Sequence, residues 1–314
     1  MKKVLVTGAA GTVGLQVIRF LLSEGKYEIT ALELKNKHNY MRLRSFRKRI
    51  NIVYGDVNDE GIVDALVKTH DVVIHLAGVL PPFANVREDL CKEIDYKGTQ
   101  TVVDAISNYN PNCYFLYASS TSVYGEHKDG KPLTVKSDCK YDSYDYYSKY
   151  KLKAEKYIQN NLKNYSIFRL AYVLGDPCKE SLIYNVKTDS SVEMISSEDA
   201  GYAFVSAIDH QKELNKKIFN VSGGEKFRIV YRDYLNVLFK TYGLSIRFLS
   251  TYLLAEKNYC IGHYSDGDKL DDVLHFRSKN IDVYYRSLEK YKHKITRVIP
   301  RLLVLPVVLF NRKK

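Results

Sequence analysis

Thr7-Gly8-Ala9-Ala10-Gly11-Thr12-Val13-Gly14 decides the fold of this chain. It follows a short apolar run, Val4-Leu5-Val6, that stops at glycine as a buried parallel strand does. Beyond it, Val13, Val17, Ile18, Leu21 and Leu22 fall on one face of a helix over Val13 to Glu24. The glycine spacing is G-x-x-G-x-x-G. Glycines permit positive φ and close backbone approach, so a pyrophosphate can rest on free N–H groups at the helix N-terminus. Three glycines alone say little, but between a first strand and a first helix they are specific.

Working outward, strand and helix alternate. Glu28 to Leu34, Ile52 to Tyr54, Asp71 to Leu76, Cys113 to Ala118 and Ser166 to Ala171 read as strands. Asp59 to Thr69, Val86 to Asn108 and Tyr144 to Asn161 read as the helices between them. Such repetition places crossover helices on both faces of a parallel sheet, an α/β doubly wound architecture. After Gly175 the pattern loosens, with one more helix over Glu198 to Asp209 and one more strand over Lys217 to Val221. The expected organisation is a dinucleotide-binding domain over 1–175, with 195–222 returning to it. A smaller mixed C-terminal substrate lobe takes 176–194 and 223–295, and an apolar, basic tail takes 296–314.

The 314 residues are 45% hydrophobic and 27% charged, which excludes wholesale disorder; no fixed-period repeat points to a solenoid. The net charge of +12 favours anionic partners, although solubility alone accounts for such a bias. Cys91, Cys113, Cys139, Cys178 and Cys260 are odd in number and lack a C-x-x-C pair. That argues against a disulfide framework or a zinc site, and no metal is expected; a reducing, cytoplasmic compartment fits. Asn39 to Arg49 is basic and aromatic but matches no nucleic-acid module, so no nucleic acid is expected.

Chemistry-bearing residues follow from position. Glu33 stands 19 residues after Gly14, at the end of the second strand. An acid there accepts hydrogen bonds from both adenosine ribose hydroxyls and repels a 2′-phosphate, which favours NAD over NADP. Lys35 and Lys37 could instead serve a 2′-phosphate. Asp56 and Val57 close the third strand, where an adenine could sit. Tyr147 and Lys151 are four apart on a helix, so phenol and ammonium share a face; the cation is expected to lower the phenol pKa. Tyr117-Ala118-Ser119-Ser120-Thr121-Ser122-Val123-Tyr124-Gly125 ends the fifth strand, where doubly wound sheets bind ligands.

With these stretches, Gly55-Asp56-Val57, His75-Leu76-Ala77-Gly78, Gly98-Thr99 and Tyr147-x-x-x-Lys151 followed by Glu155, the chain resembles an extended short-chain dehydrogenase/reductase. The branch is the NAD-dependent epimerase/dehydratase family, with a Rossmann domain. Later echoes are Arg169-Leu170, Gly175-Asp176-Pro177, Glu198-Asp199-Ala200 and Phe219 to Gly224. The resemblance implies that Gly8, Gly11, Thr12, Val13 and Gly14 hold the pyrophosphate, Glu33 the ribose, and Asp56 and Val57 the adenine end. It implies that Leu76, Ala77 and Gly78 line the nicotinamide ribose, which Lys151 binds. Ser120 takes the place of the catalytic hydroxyl and Tyr147 that of the general base.

The sequence departs from the family pattern at three places. Asp95 stands where the family usually has Asn before Gly-Thr. Thr121 and Ser122 replace the acidic pair of the sugar 4,6-dehydratases, which disfavours that reaction. The segment from Gly175 to Ile195 is short for a nucleotide-gripping insertion.

The expected function is an NAD-dependent sugar, or nucleotide-sugar, epimerase/oxidoreductase working through a transient ketone. The alternative is an NADP-dependent carbonyl reductase of a smaller substrate. A homodimer is expected through the two long helices 86–108 and 144–161. The tail, Val298 to Phe310, is shorter than the ~20 apolar residues of a membrane span and holds Pro300, Arg301 and Pro306. It either packs on the small lobe or at a subunit interface, or makes peripheral membrane contact through its basic flanks.

Overall fold

The computed structural model describes residues 1–81, 83–127, 131–141, 143, 145–175, 186–241 and 262–291. Seven parallel strands form the main sheet: β1 (Lys2–Thr7), β2 (Tyr27–Glu33), β3 (Asn51–Tyr54), β4 (Val72–His75), β5 (Tyr114–Ser120), β6 (Tyr165–Leu170) and β9 (Lys217–Val221). Their order is β3-β2-β1-β4-β5-β6-β9. The chain runs outward from β1 in one direction to β3, then crosses back to β4. This leaves a crevice at the carboxyl ends of β1 and β4, where open α/β sheets bind ligands.

The sheet is buried on both faces, and the two-residue period of a strand shows it directly. Val4 and Val6 pack into one core with Val17, Ile18 and Leu21 of α1 (Thr12–Glu24) and Phe204 of α7 (Ser197–Ser206). Leu5, between them, enters the opposite core. There it meets Val63 and Val67 of α3 (Glu60–Val67), Val102, Val103 and Ile106 of α5 (Gly98–Tyr109), and Ala154 and Ile158 of α6 (Tyr146–Asn161). Each fully buried aliphatic side chain contributes roughly 1.5–3 kcal/mol. The expected doubly wound sheet is therefore present.

A second sheet, β10-β8-β7, joins β7 (Tyr172–Leu174), β8 (Ser191–Ser196) and β10 (Arg228–Val230). β7 runs parallel to β8 and β10 antiparallel to it, so this sheet is mixed. Its core holds Leu174, Val192, Met194 and Phe227 with Tyr231, Tyr234 and Leu235 of α9 (Tyr231–Thr241). Leu214 of α8 (Gln211–Leu214) and Leu270 and Leu274 of α10 (Asp268–Leu274) join the core of the main sheet, whereas Ile281 and Tyr284 of α11 (Ile281–Ser287) pack on that of the second.

Two elements differ from the sequence expectation. The helix expected over 86–108 is interrupted: one turn of α4 (Glu88–Leu90) leads into a π-helix, Cys91–Lys97, and only then into α5. The wider turn sets Asp95 against Lys151 at 3.2 Å, while Gly98 packs so closely on Val57 that a Cβ would lie 2.7 Å from Cγ2. Lys37–Leu43, within the basic stretch after β2, forms a helix, α2, capped by Asn36. Cys91, Cys113 and Cys139 are free thiols. Cys178, Cys260 and the tail 296–314 lie outside the described residues. No helix among the described residues is long and apolar enough to cross a membrane.

Candidate active site

The crevice is a cavity of about 570 Å³. Every site residue named from the sequence lines it: Gly8, Gly11, Thr12, Val13, Gly14, Glu33, Asp56, Val57, Leu76, Ala77, Gly78, Ser120, Tyr147 and Lys151.

At its centre lies the glycine loop. Gly8 has φ +66°, and a Cβ there would sit 2.7 Å from the Ala77 nitrogen. Gly14 lets α1 start against the loop, since a Cβ would lie 2.4 Å from the Gly8 carbonyl. α1 has Gly11 as its N-cap, no side-chain cap and no acid in its first turn. Its first amides therefore face the cavity without a side-chain acceptor, a donor set and dipole end suited to a phosphate.

One end of the cavity is formed by Glu33, His38, Asn39, Arg42, Asp56 and Val57. Glu33 Oε2 accepts from the Ala10 amide at 2.8 Å, and Oε1 from Asn39 at 3.0 Å and Leu34 at 3.1 Å. Burial raises its pKa, against the pull of those amides and of Arg42 and His38. Lys35 and Lys37 do not line the cavity; Asn39 and Arg42 of α2 do. Sequence reading missed these two because a short basic run carries no helical pattern. Asp56 also accepts from the Asn58 amide at 2.9 Å, closing its own turn.

At the other end Ser120, Thr121, Ser122, Tyr147 and Lys151 converge. Asp145 caps α6 by accepting from Ser148, which fixes the start of the helix and the direction of Tyr147. The Ser120 hydroxyl accepts from the Ser122 amide at 3.1 Å and, beside the Tyr147 phenol, pulls its pKa slightly down. Lys151 Nζ donates to the Ala118 carbonyl at 3.1 Å, pairs with Asp95 and lies 5.8 Å from the Tyr147 ring centre. Tyr150, the neighbouring phenol, donates to Glu88 at 3.0 Å instead. Lys151 pulls the Tyr147 pKa down as expected, but the net shift runs the other way. Burial outweighs the lysine and pushes the phenol up to about 12, with Asp95 adding in the same direction. The i, i+4 spacing shows a partner but not how deeply the pair is buried.

A buried network supports this end. Ser119 donates to Glu155 at 2.5 Å, and Arg169 grips Glu155 through Nε at 3.0 Å and Nη2 at 2.7 Å. His75 sits between Thr7 at 2.8 Å and Thr99 at 3.2 Å. No cluster of three or more His, Cys, Asp or Glu among the described residues could hold a metal ion.

Comparison with known proteins agrees with this architecture. The chain is 30% identical over 130 residues to CDP-paratose 2-epimerase of Salmonella typhi, covering 40% of this chain and 38% of that protein. It is 29% identical over 131 residues to 3 beta-hydroxysteroid dehydrogenase type 7 of Mus musculus, covering 41% and 35%. The matches thus span less than half the length of these relatives. UDP-glucuronic acid 4-epimerase from Bacillus cereus, solved with UDP-glucuronic acid and NAD, aligns with a TM-score of 0.72 at 19% identity over 92% of this chain and 99% of that one. The dTDP-glucose 4,6-dehydratase DesIV from Streptomyces venezuelae, solved with NAD, aligns with a TM-score of 0.76 at 19% identity over 92% and 96%. At such identities the likeness is one of fold. A family model matches residues 5–197, which include the glycine loop, Ser120, Tyr147 and Lys151. The chain belongs to the 3-beta hydroxysteroid dehydrogenase/isomerase family, within the extended short-chain dehydrogenases/reductases that its motifs resemble.

Proposed function

We propose that the chain is an NAD-dependent epimerase/oxidoreductase acting on a sugar or sugar nucleotide through a transient ketone. One observation carries the reading: Ser120, Tyr147 and Lys151 meet at one end of a cavity whose middle is a glycine-loop phosphate cradle. The residues fit a dinucleotide: the amides at the start of α1 would hold the pyrophosphate, Glu33 and Asn39 the adenosine ribose, and Lys151 the nicotinamide ribose. NAD, when bound, supplies a reversible hydride acceptor.

The chain's own groups handle the proton. Ser120 orients the reacting substrate oxygen, and Tyr147 takes its proton as general base and returns it as general acid. Lys151 favours the phenolate. The catalytic end of the cavity presents hydroxyls at Thr121 and Ser122, whereas its lining carboxylates, Glu33 and Asp56, lie at the far end. That distribution supports epimerisation or oxidation over dehydration, which needs an acid beside the substrate. CDP-paratose 2-epimerase among the similar proteins supports the sugar-nucleotide class.

A second reading, an NADP-dependent carbonyl reductase of a smaller substrate, draws on Arg42 and His38 beside Glu33. The mass of the copurifying dinucleotide, followed by turnover of a sugar-nucleotide panel, separates the two. Tyr147→Phe is expected to lower turnover ~10²–10⁴-fold while leaving NAD binding intact. Turnover near the native rate would refute the role of Tyr147.

We place the protein in the cytoplasm. We also read it as a homodimer, and retain peripheral membrane contact through 296–314 as the second reading of the tail.

A further inference from the structure

Asp95 lies on the π-helical turn that precedes α5. Its side chain is fully buried and that of Lys151 is 5% exposed. Oδ1 stands 3.2 Å from Lys151 Nζ, and Oδ2 accepts from the Val79 amide at 3.4 Å. The Thr99 hydroxyl donates to the Asp95 carbonyl at 2.8 Å and ties the turn to the start of α5. Gly78 makes the room: a Cβ there would lie 2.6 Å from Asp95 Oδ1 and 3.1 Å from Lys151 Nζ. Gly78 and Lys151 line the cavity, whereas Asp95 does not. The acid therefore sits beneath the cavity floor and touches the catalytic end through the lysine.

Charged and titratable groups face this pair from each element around it. Lys151 and Tyr147 come from α6, Tyr117 from β5 and Cys91 from the same turn as Asp95. His75 of β4 faces Lys151 and stays neutral, and Glu155 faces Tyr117. Lys151 stabilises the Tyr147 phenolate and Asp95 opposes it. Asp95 also keeps Lys151 charged against the cost of burial. π-helical turns are rare and gather at functional sites. Here that turn aims a carboxylate at the lysine of the site.

We propose that Asp95 is a positioning residue that sets the working pH of Tyr147: its carboxylate pins the Lys151 ammonium from beneath the cavity and offsets part of the ammonium's pull on the phenol. The inference rests on the reading of Tyr147 as general base. An amide at position 95 would keep a polar oxygen facing the lysine but would bring no charge. With a carboxylate there, the phenol ionises at higher pH than the lysine alone would dictate.

The test needs no substrate. NAD is the probe, and its dissociation constant is measured first. A rapid pH jump on NAD-saturated protein then reads phenolate absorbance in the near ultraviolet. Subtracting the same trace for Tyr147→Phe isolates the ionisation of Tyr147. In Asp95→Asn the Tyr147 midpoint is expected to fall by about one pH unit, the scale of one nearby charge. Asp95→Ser, neutral and smaller, replaces it if the amide variant does not fold, with the same acidward shift expected. An unmoved or alkaline-shifted midpoint in a folded, NAD-binding variant overturns the proposal. A role confined to packing would weaken NAD binding or stability and leave the midpoint where it is. Failure of the native chain to bind NAD would instead overturn the functional reading itself.

Discussion

The Glu33 carboxylate accepts the Ala10 amide at 2.8 Å, so the acid that ends β2 is also a strut of the glycine loop. Its other oxygen holds Asn39 of α2. Removing it has two consequences, since a repulsive charge leaves the ribose end and the loop loses an acceptor. Glu33→Ala is expected to weaken NAD about tenfold, the scale of one hydrogen bond to a charged group, and to shift the NAD-to-NADP affinity ratio toward NADP. Glu33→Gln keeps an acceptor for Ala10 and should shift the ratio with less loss of NAD affinity. Dissociation constants for both dinucleotides check this; ratios unchanged in both variants would remove Glu33 from cofactor selection.

The Glu155–Arg169 pair is a deeply buried ion pair that supports the site, with side chains 1% and 4% exposed. Two charges at that depth are tolerated because each satisfies the other in a bidentate fork and Ser119 takes a further lone pair. Removing one partner strands the other. Arg169→Met and Glu155→Leu are each expected to cost about 3–5 kcal/mol, whereas the double replacement costs less than the sum of the two. Urea unfolding of the three variants measures it, and strict additivity would show that the two side chains do not depend on each other.

Much of this was legible in the sequence because it is local. Val4-Leu5-Val6 against the glycines gives a strand, a turn and a helix within one short segment, and Lys217–Val221 forms a strand with the expected bounds. Ser120, Tyr147 and Lys151 could be named because the order of elements brings strand end and helix together. The rest depends on contacts distant in the chain. β8 is six residues long and β7 and β10 only three, so their apolar pattern is too brief to read before they pair with one another. The π-turn at Cys91–Lys97 follows from what Asp95 and Gly98 touch, which no periodicity reveals. Asp95 stood out only as a departure from a pattern; its ion pair with Lys151 is a fact of three dimensions.

His75 links acidity to stability. Burial, aided by Lys151, holds its pKa down at about 3, against 6.5 for an ordinary histidine. Between those values the unfolded chain takes up a proton that the folded chain refuses. This contribution is therefore complete above the ordinary histidine pKa and is lost as pH falls, by at most about 1.4 kcal/mol per pH unit. His75→Gln can keep hydrogen bonds to Thr7 and Thr99 without titrating. Between about pH 7 and about pH 5 the native chain should lose more stability than the variant in urea unfolding. Parallel losses would mean that His75 takes its proton equally well folded and unfolded.

The proposed homodimer, formed through the long helices, makes a prediction of its own. The outward residues of the π-turn, α5 and α6 include Lys92, Glu93, Lys97, Asp104, Lys153 and Lys156, all exposed. The apolar residues Val102, Val103, Ile106, Ala154 and Ile158 are already buried in the subunit core. Two copies meeting on this face would join largely through paired charges, with modest apolar burial. Such an interface is screened once the Debye length shrinks from ~10 Å at 0.1 M salt to ~3 Å at 1 M. Light scattering at micromolar protein is expected to give twice the 36.2 kDa chain mass in dilute salt and a value approaching one chain in concentrated salt. A dimer indifferent to salt would place the interface elsewhere on the molecule, on an apolar surface. A monomer at every salt concentration would end the dimer proposal.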